Sequence, residues 1–131
     1  MTANAYDVLQ ERGFIEQVSD EEGVRAAVEQ PITCYVGFDP SAASFHVGHM
    51  VPIMALAHLQ RNGHRPIALM GGGTGMIGDP SDKDQMRRLL TIEQIDANVA
   101  KLKKQMANLL DFSDDKALML NNADWLRPLN Y

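Results

Sequence analysis

The chain has 131 residues, of which 45% are hydrophobic and 22% are charged, and its formal net charge is −5. This composition is typical of a soluble globular domain, and the acidic balance argues against a broad nucleic-acid-binding surface within these residues. The single cysteine, Cys34, excludes an internal disulfide framework, favours a reducing compartment and is expected to lie in the core. No signal peptide or membrane-spanning segment is visible, so we expect a cytoplasmic protein without membrane contact.

The first 31 residues predict a helical arm ahead of the main domain. Residues 6–11 favour a short helix that is closed by Gly13. The run Ser19-Asp20-Glu21-Glu22 has the spacing of a capping box, which predicts a second helix that begins at Ser19 and ends before Pro31. We therefore divide the chain into an arm, 1–31, and a main domain, 32–131.

The main domain begins with a pattern of strand, helix and strand. Residues 32–36 are rich in β-branched and aromatic side chains and predict a buried strand. Apolar residues at helical spacing then predict a helix that follows His49 and runs to Asn62, with Gly63 as its stop. The unbroken apolar run 66–70 predicts a second strand, parallel to the first, in a sheet covered on both faces.

The second half of the chain predicts one more helix and one more strand. Five glycines within 71–78 indicate a flexible or close-approach loop, and 82–88 mixes charges. Thr91 is the expected N-cap of a helix over 92–110, and a third strand follows at 117–120. The fold class is therefore α/β, with the first half of a Rossmann-like doubly wound parallel sheet behind the helical preamble. Three strands are about half of such a sheet, so we expect the chain to be an N-terminal piece of a larger protein.

The segment His46-Val47-Gly48-His49 lies where the first strand passes into the helix, which is where ligands bind in open α/β sheets. Glycine permits close approach, a helix start favours an anion, and two imidazoles add donors, so the segment predicts a phosphate site. A zinc site would need more ligands than this pair supplies, and we expect no metal. The run 73–78 matches the dinucleotide fingerprint G-x-G-x-x-G, but it does not open a helix at once, which argues against that interpretation.

A longer pattern resembles a known family. It is the string Tyr35-x-Gly37-Phe38-Asp39-Pro40-Ser41-Ala42-x-Ser44-x-His46-x-Gly48-His49. The string contains a relative of the H-I-G-H signature of class I aminoacyl-tRNA synthetases and is similar to the bacterial tyrosyl-tRNA synthetase family. The similarity continues through 63–69, 75–81, 110–112 and 121–125, and thus covers nearly the whole chain. The resemblance implies the N-terminal segment of a catalytic domain.

The resemblance also implies a reaction, substrates and partners. L-Tyrosine would be activated by ATP, which is a substrate carried with Mg²⁺, to give tyrosyl-adenylate and pyrophosphate. The tyrosyl group would then pass to tRNA(Tyr), which binds mainly through parts outside these residues. The full-length parent is expected to be a homodimer, and these 131 residues alone are expected to be inactive.

Site residues follow from the resemblance, position by position. Tyrosine would be bound by Tyr35 through its phenol hydroxyl, by Asp79 through its α-ammonium group, and by Asn122 as a support behind the pocket. ATP would be bound by Gly37, Asp39, His46, Gly48 and His49. The catalytic set would be Ser41, His46, His49, Lys83 and Arg87, in which Ser41 and His46 meet the γ-phosphate and the two cations clamp pyrophosphate.

Three departures from the family and two rival functions remain. Ser41 stands where many members have threonine, Val36 where some have cysteine, and Pro52 where some have threonine. The K-M-S-K-S-like loop, the second half of the sheet and the anticodon-binding parts are absent from these residues. The alternatives are a free-standing nucleotidylyltransferase that uses the same site, and a non-catalytic truncated paralogue that serves as a binding module. The length of the open reading frame separates the last of these from the synthetase.

Overall fold

Three parallel strands form the sheet in a computed structural model that describes residues 4–40, 42–74 and 91–129. They are β1 (Thr33–Phe38), β2 (Arg65–Met70) and β3 (Leu118–Asn121), in the order β1-β2-β3. Both neighbouring pairs are parallel, with Tyr35 opposite Ile67 and Ile67 opposite Leu118. The predicted α/β class and the parallel strand–helix–strand crossover are confirmed.

The first strand is two residues longer at its carboxyl end than predicted. Gly37 pairs with Leu69 and Phe38 with Met70, and the Gly71 N–H then donates to the Phe38 carbonyl at 2.9 Å. The predicted strand ends before Gly37, but the neighbouring strand supplies partners for the backbone of Gly37 and Phe38. Pairing with β2 therefore overrides the weak strand propensity of glycine.

Five α-helices accompany the sheet in the described part of the chain: α1 (Ala5–Glu11), α2 (Glu21–Ala27), α3 (Met50–Arg61), α4 (Ile92–Met106) and α5 (Ala123–Leu126). Two 3₁₀ turns lie at Val47–His49 and Ser113–Asp115. Gly13 and Gly63 have φ values of 79° and 91°, which suits their predicted place just after a helix. Thr91 caps α4 as predicted, although α4 ends at Met106 rather than at 110.

The start of α2 corrects the predicted capping box. The cap is Asp20, whose side chain accepts from the Gly23 N–H at 2.9 Å, and not Ser19. Both residue types cap helices well, so the sequence alone did not decide which of the two neighbouring residues is the N-cap. The arm is tied together by Arg25, which pairs with Asp7 and lies 4.3 Å from the Tyr6 ring centroid.

The core lies between α3, α4 and one face of the sheet, which we call the covered face. Phe38, Ala68 and Met70 from the strands pack there against apolar side chains of both helices, namely Ile53, Leu56, Leu102 and Met106. Cys34 is half-buried rather than fully buried, and burial raises the pKa of its thiol. Among the described residues, no helix is long and apolar enough to cross a membrane.

The opposite face of the sheet is the open face, and it corrects two expectations. Strand β1 is not buried throughout, because Thr33, Tyr35 and Gly37 alternate outward and are exposed. Strand β2 is not fully covered on both sides, because Ile67 and Leu69 are only half-buried there. The open face also carries Leu118 and Leu120 of β3.

Candidate active site at the carboxyl edge of the sheet

The ends of the three strands meet at one edge of the sheet. The Phe38 carbonyl accepts from the Gly71 N–H, and the Met70 carbonyl accepts from the Asn122 N–H, both at 2.9 Å. The segments that follow β1, β2 and β3 are thereby held side by side. This is the edge at which open α/β sheets bind ligands, and most of the predicted site residues lie on these segments.

His46 and His49 form a closed turn at the start of α3. The His46 Nδ1 accepts from the Gly48 N–H at 3.0 Å, and the His49 Nδ1 accepts from the His46 N–H at 3.1 Å. The two ring centroids lie 3.9 Å apart. Since both Nδ1 atoms accept, each neutral ring carries its proton on Nε2, where it can be donated to an anion.

The charge state of His49 is set by its surroundings. Burial lowers the pKa of His49, the neighbouring His46 lowers it further, and the carboxylate of Asp39 opposes both effects. His49 is therefore neutral at pH 7 and acts as a hydrogen-bond donor rather than as a cation. The ring is held in place by Phe45, whose centroid lies 5.1 Å away.

The glycine of the motif has a structural reason of its own. A Cβ at Gly48 would lie 2.8 Å from the His46 Cε1 and 3.0 Å from its Nδ1. Any side chain there would push His46 out of its capping position. The contact of Gly48 with ATP remains a prediction beside this local requirement.

Tyr35 and Gly37 lie on the open face of β1, Gly37 next to the carboxyl end of the strand and Tyr35 in its middle. Tyr35 is 68% exposed, which leaves its phenol available to a ligand. A Cβ at Gly37 would meet nothing within 4 Å, so the packing of the described residues does not require glycine at this position. Space above a glycine beside an exposed tyrosine is suited to close approach by a ligand.

Asn122 fixes the start of the glycine-rich loop. Its Oδ1 accepts from the Gly73 N–H at 2.8 Å, and its Nδ2 donates to the Thr74 hydroxyl at 3.3 Å. A Cβ at Gly72 would lie 2.2 Å from the Asn121 Oδ1. The beginning of this loop is therefore a close approach of chain segments, which is one of the two forms that the sequence predicted.

Several predicted site residues lie outside the described residues, and their roles remain predictions: Ser41, Asp79, Lys83 and Arg87. Within the described ranges, no three His, Cys, Asp or Glu side chains are grouped so that they could hold a metal ion.

Two residues of α4 that sequence reasoning missed reach the loop before His46. The Asn98 Nδ2 donates to the Pro40 carbonyl at 2.9 Å, and the Gln105 Oε1 accepts from the Phe45 N–H at 2.9 Å. Their seven-residue separation on a capped helix is the only signal that the sequence offers. That spacing places them on one face, but it does not say what the face contacts.

Comparison with known proteins identifies the class. Residues 27–131 match the family model described as "tRNA synthetases class I (W and Y)". Because the match covers most of the chain, the chain belongs to this family of class I tRNA synthetases. The predicted family is thereby confirmed.

The similar proteins are more specific. The chain is 61% identical over 128 residues to the tyrosine–tRNA ligase of Syntrophus aciditrophicus, and 58% identical over 130 residues to that of Fusobacterium nucleatum. Each alignment covers 98% of this chain, which spans 30% and 32% of the length of these relatives.

Solved structures agree with the predicted Rossmann-like fold. A C-terminally truncated mitochondrial tyrosyl-tRNA synthetase of Aspergillus nidulans aligns with a TM-score of 0.78 at 29% identity, over 97% of this chain and 39% of that one. The corresponding enzyme of Coccidioides posadasii gives 0.75 at 25% identity, over 97% and 37%.

Proposed function

We propose that the protein to which this chain belongs is a tyrosine–tRNA ligase, and that the chain contributes part of its amino-acid and ATP site. The observation that carries the proposal is the high identity, over nearly the whole chain, to proteins that bear this name. The geometry supports it, because an exposed tyrosine and an uncrowded glycine lie on β1, and the histidine turn lies between the carboxyl end of that strand and α3.

The proposed reaction has two steps. A carboxylate oxygen of L-tyrosine attacks the α-phosphorus of Mg²⁺-bound ATP, forms the acyl–phosphate bond of tyrosyl-adenylate and releases pyrophosphate as the α–β bond breaks. The terminal ribose hydroxyl of tRNA(Tyr) then attacks the acyl carbon, and AMP leaves. Neither step needs a covalent enzyme intermediate, so the protein acts by positioning substrates and by stabilising charge on the phosphates.

The predicted site residues that the structure describes have the following roles in the proposed reaction. Tyr35 donates or accepts a hydrogen bond at the phenol hydroxyl of the substrate, and Gly37 leaves space for the adenylate. The Nε2–H group of His46 donates to a phosphate oxygen, where charge grows as pyrophosphate departs, and His49 meets the ribose region of ATP. Asp39 lies beside the adenylate.

Asn122, which binds Gly73 and Thr74, steadies the start of the loop that leads to Asp79. The remaining roles rest on the resemblance alone. Asp79 is the proposed partner of the substrate ammonium. Ser41 contacts the γ-phosphate, and Lys83 and Arg87 clamp pyrophosphate. The proposed enzyme is a cytoplasmic homodimer, and the isolated 131 residues neither aminoacylate tRNA nor bind their ligands tightly.

The test is ATP–pyrophosphate exchange by the full-length product of the gene, with tyrosine, tryptophan and phenylalanine compared as the amino acid. The family includes enzymes for both tryptophan and tyrosine, so this comparison separates them. Exchange that depends on tyrosine supports the proposal. Exchange with tryptophan alone, or exchange independent of any amino acid, contradicts it, and the second result points to a free-standing nucleotidylyltransferase.

A further inference from the structure

We propose that Asn98 and Gln105, two amide side chains of α4, are positioning residues that hold Pro40 and residues 42–45, the described part of the loop before His46, and through Phe45 keep the histidine turn in place for its proposed phosphate contacts. The inference rests on the proposed function and adds two residues that no motif marks. We call the pair the amide clamp.

The clamp ties both ends of the loop to one helix. The Asn98 Nδ2 donates to the Pro40 carbonyl at 2.9 Å, at the beginning of the loop. At its end, the Gln105 Oε1 accepts from the Phe45 N–H at 2.9 Å, and the Gln105 Nε2 donates to the Ser44 hydroxyl at 3.2 Å. Seven residues span about two helical turns, or about 10.5 Å, so α4 sets the distance between the two ends.

The helix that carries the clamp is itself fixed in the core. Ile95, Leu102 and Met106 of α4 are at most 1% exposed. A helix anchored at both of its ends cannot shift without disturbing the packing beneath the sheet. The loop is therefore attached to a helix whose apolar side is packed in the core.

Displacement at Phe45 is transmitted to the histidine turn. The Phe45 ring lies 5.1 Å from the His49 ring and 5.6 Å from the Phe38 ring, centroid to centroid. Its backbone also joins directly to His46. If the Phe45 N–H loses its acceptor, both imidazoles lose part of their support, and their Nε2 donors move relative to the bound ATP.

The chemistry of the amide suits this place. Gln105 accepts from an N–H and donates to a hydroxyl at the same time, which only a side chain with both functions can do. It is also uncharged, so it adds no field of its own where ATP phosphates are proposed to bind. A lysine there would offer no acceptor to Phe45.

The experiment uses the full-length gene product and four variants. Gln105→Met keeps the size of the side chain and removes all of its hydrogen bonds, whereas Gln105→Glu keeps the acceptor for the Phe45 N–H. Asn98→Leu removes the tie at Pro40. Lys101→Met, at an exposed position of the same helix, is the matched control.

The expected result is a loss specific to ATP. For Gln105→Met, kcat/KM for ATP falls by about tenfold to a hundredfold, because a small misplacement of contacting groups is costly, while KM for tyrosine stays within about twofold. Gln105→Glu serves the hydrogen-exchange measurement alone, because its carboxylate adds negative charge near the proposed ATP phosphates. Asn98→Leu gives a smaller loss in the same direction, and Lys101→Met matches the wild type. Unchanged kcat/KM for ATP in Gln105→Met, or equal loss toward both substrates, overturns the proposal.

A second measurement does not depend on activity. Hydrogen exchange of the Phe45 amide is slow in the wild type, fast in Gln105→Met and slow again in Gln105→Glu if the clamp exists. Slow exchange in Gln105→Met overturns it. A full-length protein without exchange activity refutes the proposed function, and the Phe45 amide then decides the clamp alone.

Discussion

The two faces of the sheet are built from the same three strands, yet they do different work. On the covered face, Met70 is 0% exposed and packs under α3 and α4. On the open face, Tyr35 is 68% exposed and Leu120 is 39% exposed. Because successive side chains of a strand point to opposite faces, one strand contributes to both.

This difference assigns stability to one face and the proposed substrate contacts to the other. Parallel sheets are ordinarily covered on both sides, so an open apolar face beside Tyr35 and Gly37 is unusual. The covered face holds the strands in register, and the register fixes where Tyr35 lies relative to the carboxyl edge. Mutations on the two faces should therefore separate folding from function.

The largest effect is expected from truncation on the covered face. Met70→Ala should lower the free energy of unfolding by about 2–5 kcal/mol, because it leaves a cavity in the core. The matched variant on the open face, Leu120→Ala, should cost less than about 1 kcal/mol, because its side chain is already partly in water. Urea unfolding of both variants checks the comparison, and equal losses would show that the open face is covered as well.

The next effect concerns substrate selection on the open face. Tyr35→Phe should lower kcat/KM for tyrosine by about 5-fold to 150-fold, as expected for the loss of one hydrogen bond of about 1–3 kcal/mol, and should affect phenylalanine much less. Stability should hardly change. The loss in kcat/KM is measured by amino-acid-dependent ATP–pyrophosphate exchange with the full-length product. An unchanged ratio of kcat/KM for tyrosine to kcat/KM for phenylalanine would show that Tyr35 does not contact the substrate phenol.

A smaller effect depends on pH and comes from buried histidine. The His64 Nδ1 accepts from the Ile32 N–H at 3.2 Å, and burial lowers the pKa of His64. The folded state therefore binds fewer protons than the unfolded chain, whose histidines titrate near pH 6.5, and stability is complete above that pH and falls as the pH drops toward the folded pKa.

The matching variant is His64→Gln, which keeps an acceptor for the Ile32 N–H but does not titrate. Urea unfolding between about pH 7.5 and pH 5 should show a shallower loss of stability for the variant than for the wild type. Identical slopes would mean that His64 does not contribute to the acid sensitivity.

The smallest effect on stability should come from Gly37→Ala. Its methyl group would meet nothing within 4 Å, so the unfolding free energy should rise by less than about 1 kcal/mol, because alanine lowers the entropy of the unfolded chain. The same methyl group should raise KM for ATP in the full-length product, because it occupies the space proposed for the adenylate. Gly48→Ala is the contrasting variant, since its Cβ collides with His46, and it should lower stability.

Much of the fold could be predicted because local signals and tertiary structure agree. Gly63 ends α3, Thr91 caps α4, and the apolar run of β2 forms the central strand. Predictions were wrong where two local solutions had similar free energies, as with Ser19 and Asp20, or where a neighbouring strand supplied partners, as with Phe38.

The geometry of the candidate site could be predicted only where one continuous segment forms it. The histidine turn is local, and its capping bonds lie within four residues. The amide clamp joins residues 58 and 60 positions apart in the sequence, and polar side chains on a helix look solvated until the contact is seen. The open face could not be predicted for the same reason, because the alternation of side chains along a strand does not show which face of the sheet packs against helices.

The most direct test of the account places a reporter on the open face. Fluorotyrosine is incorporated into the full-length product, and the Tyr35 resonance is assigned as the one lost in Tyr35→Phe. If L-tyrosine binds on the open face, this fluorine resonance shifts on addition of L-tyrosine and does not shift with L-tryptophan. A Tyr35 resonance that stays in place while tyrosine supports ATP–pyrophosphate exchange would contradict the claim that the open face carries the substrate.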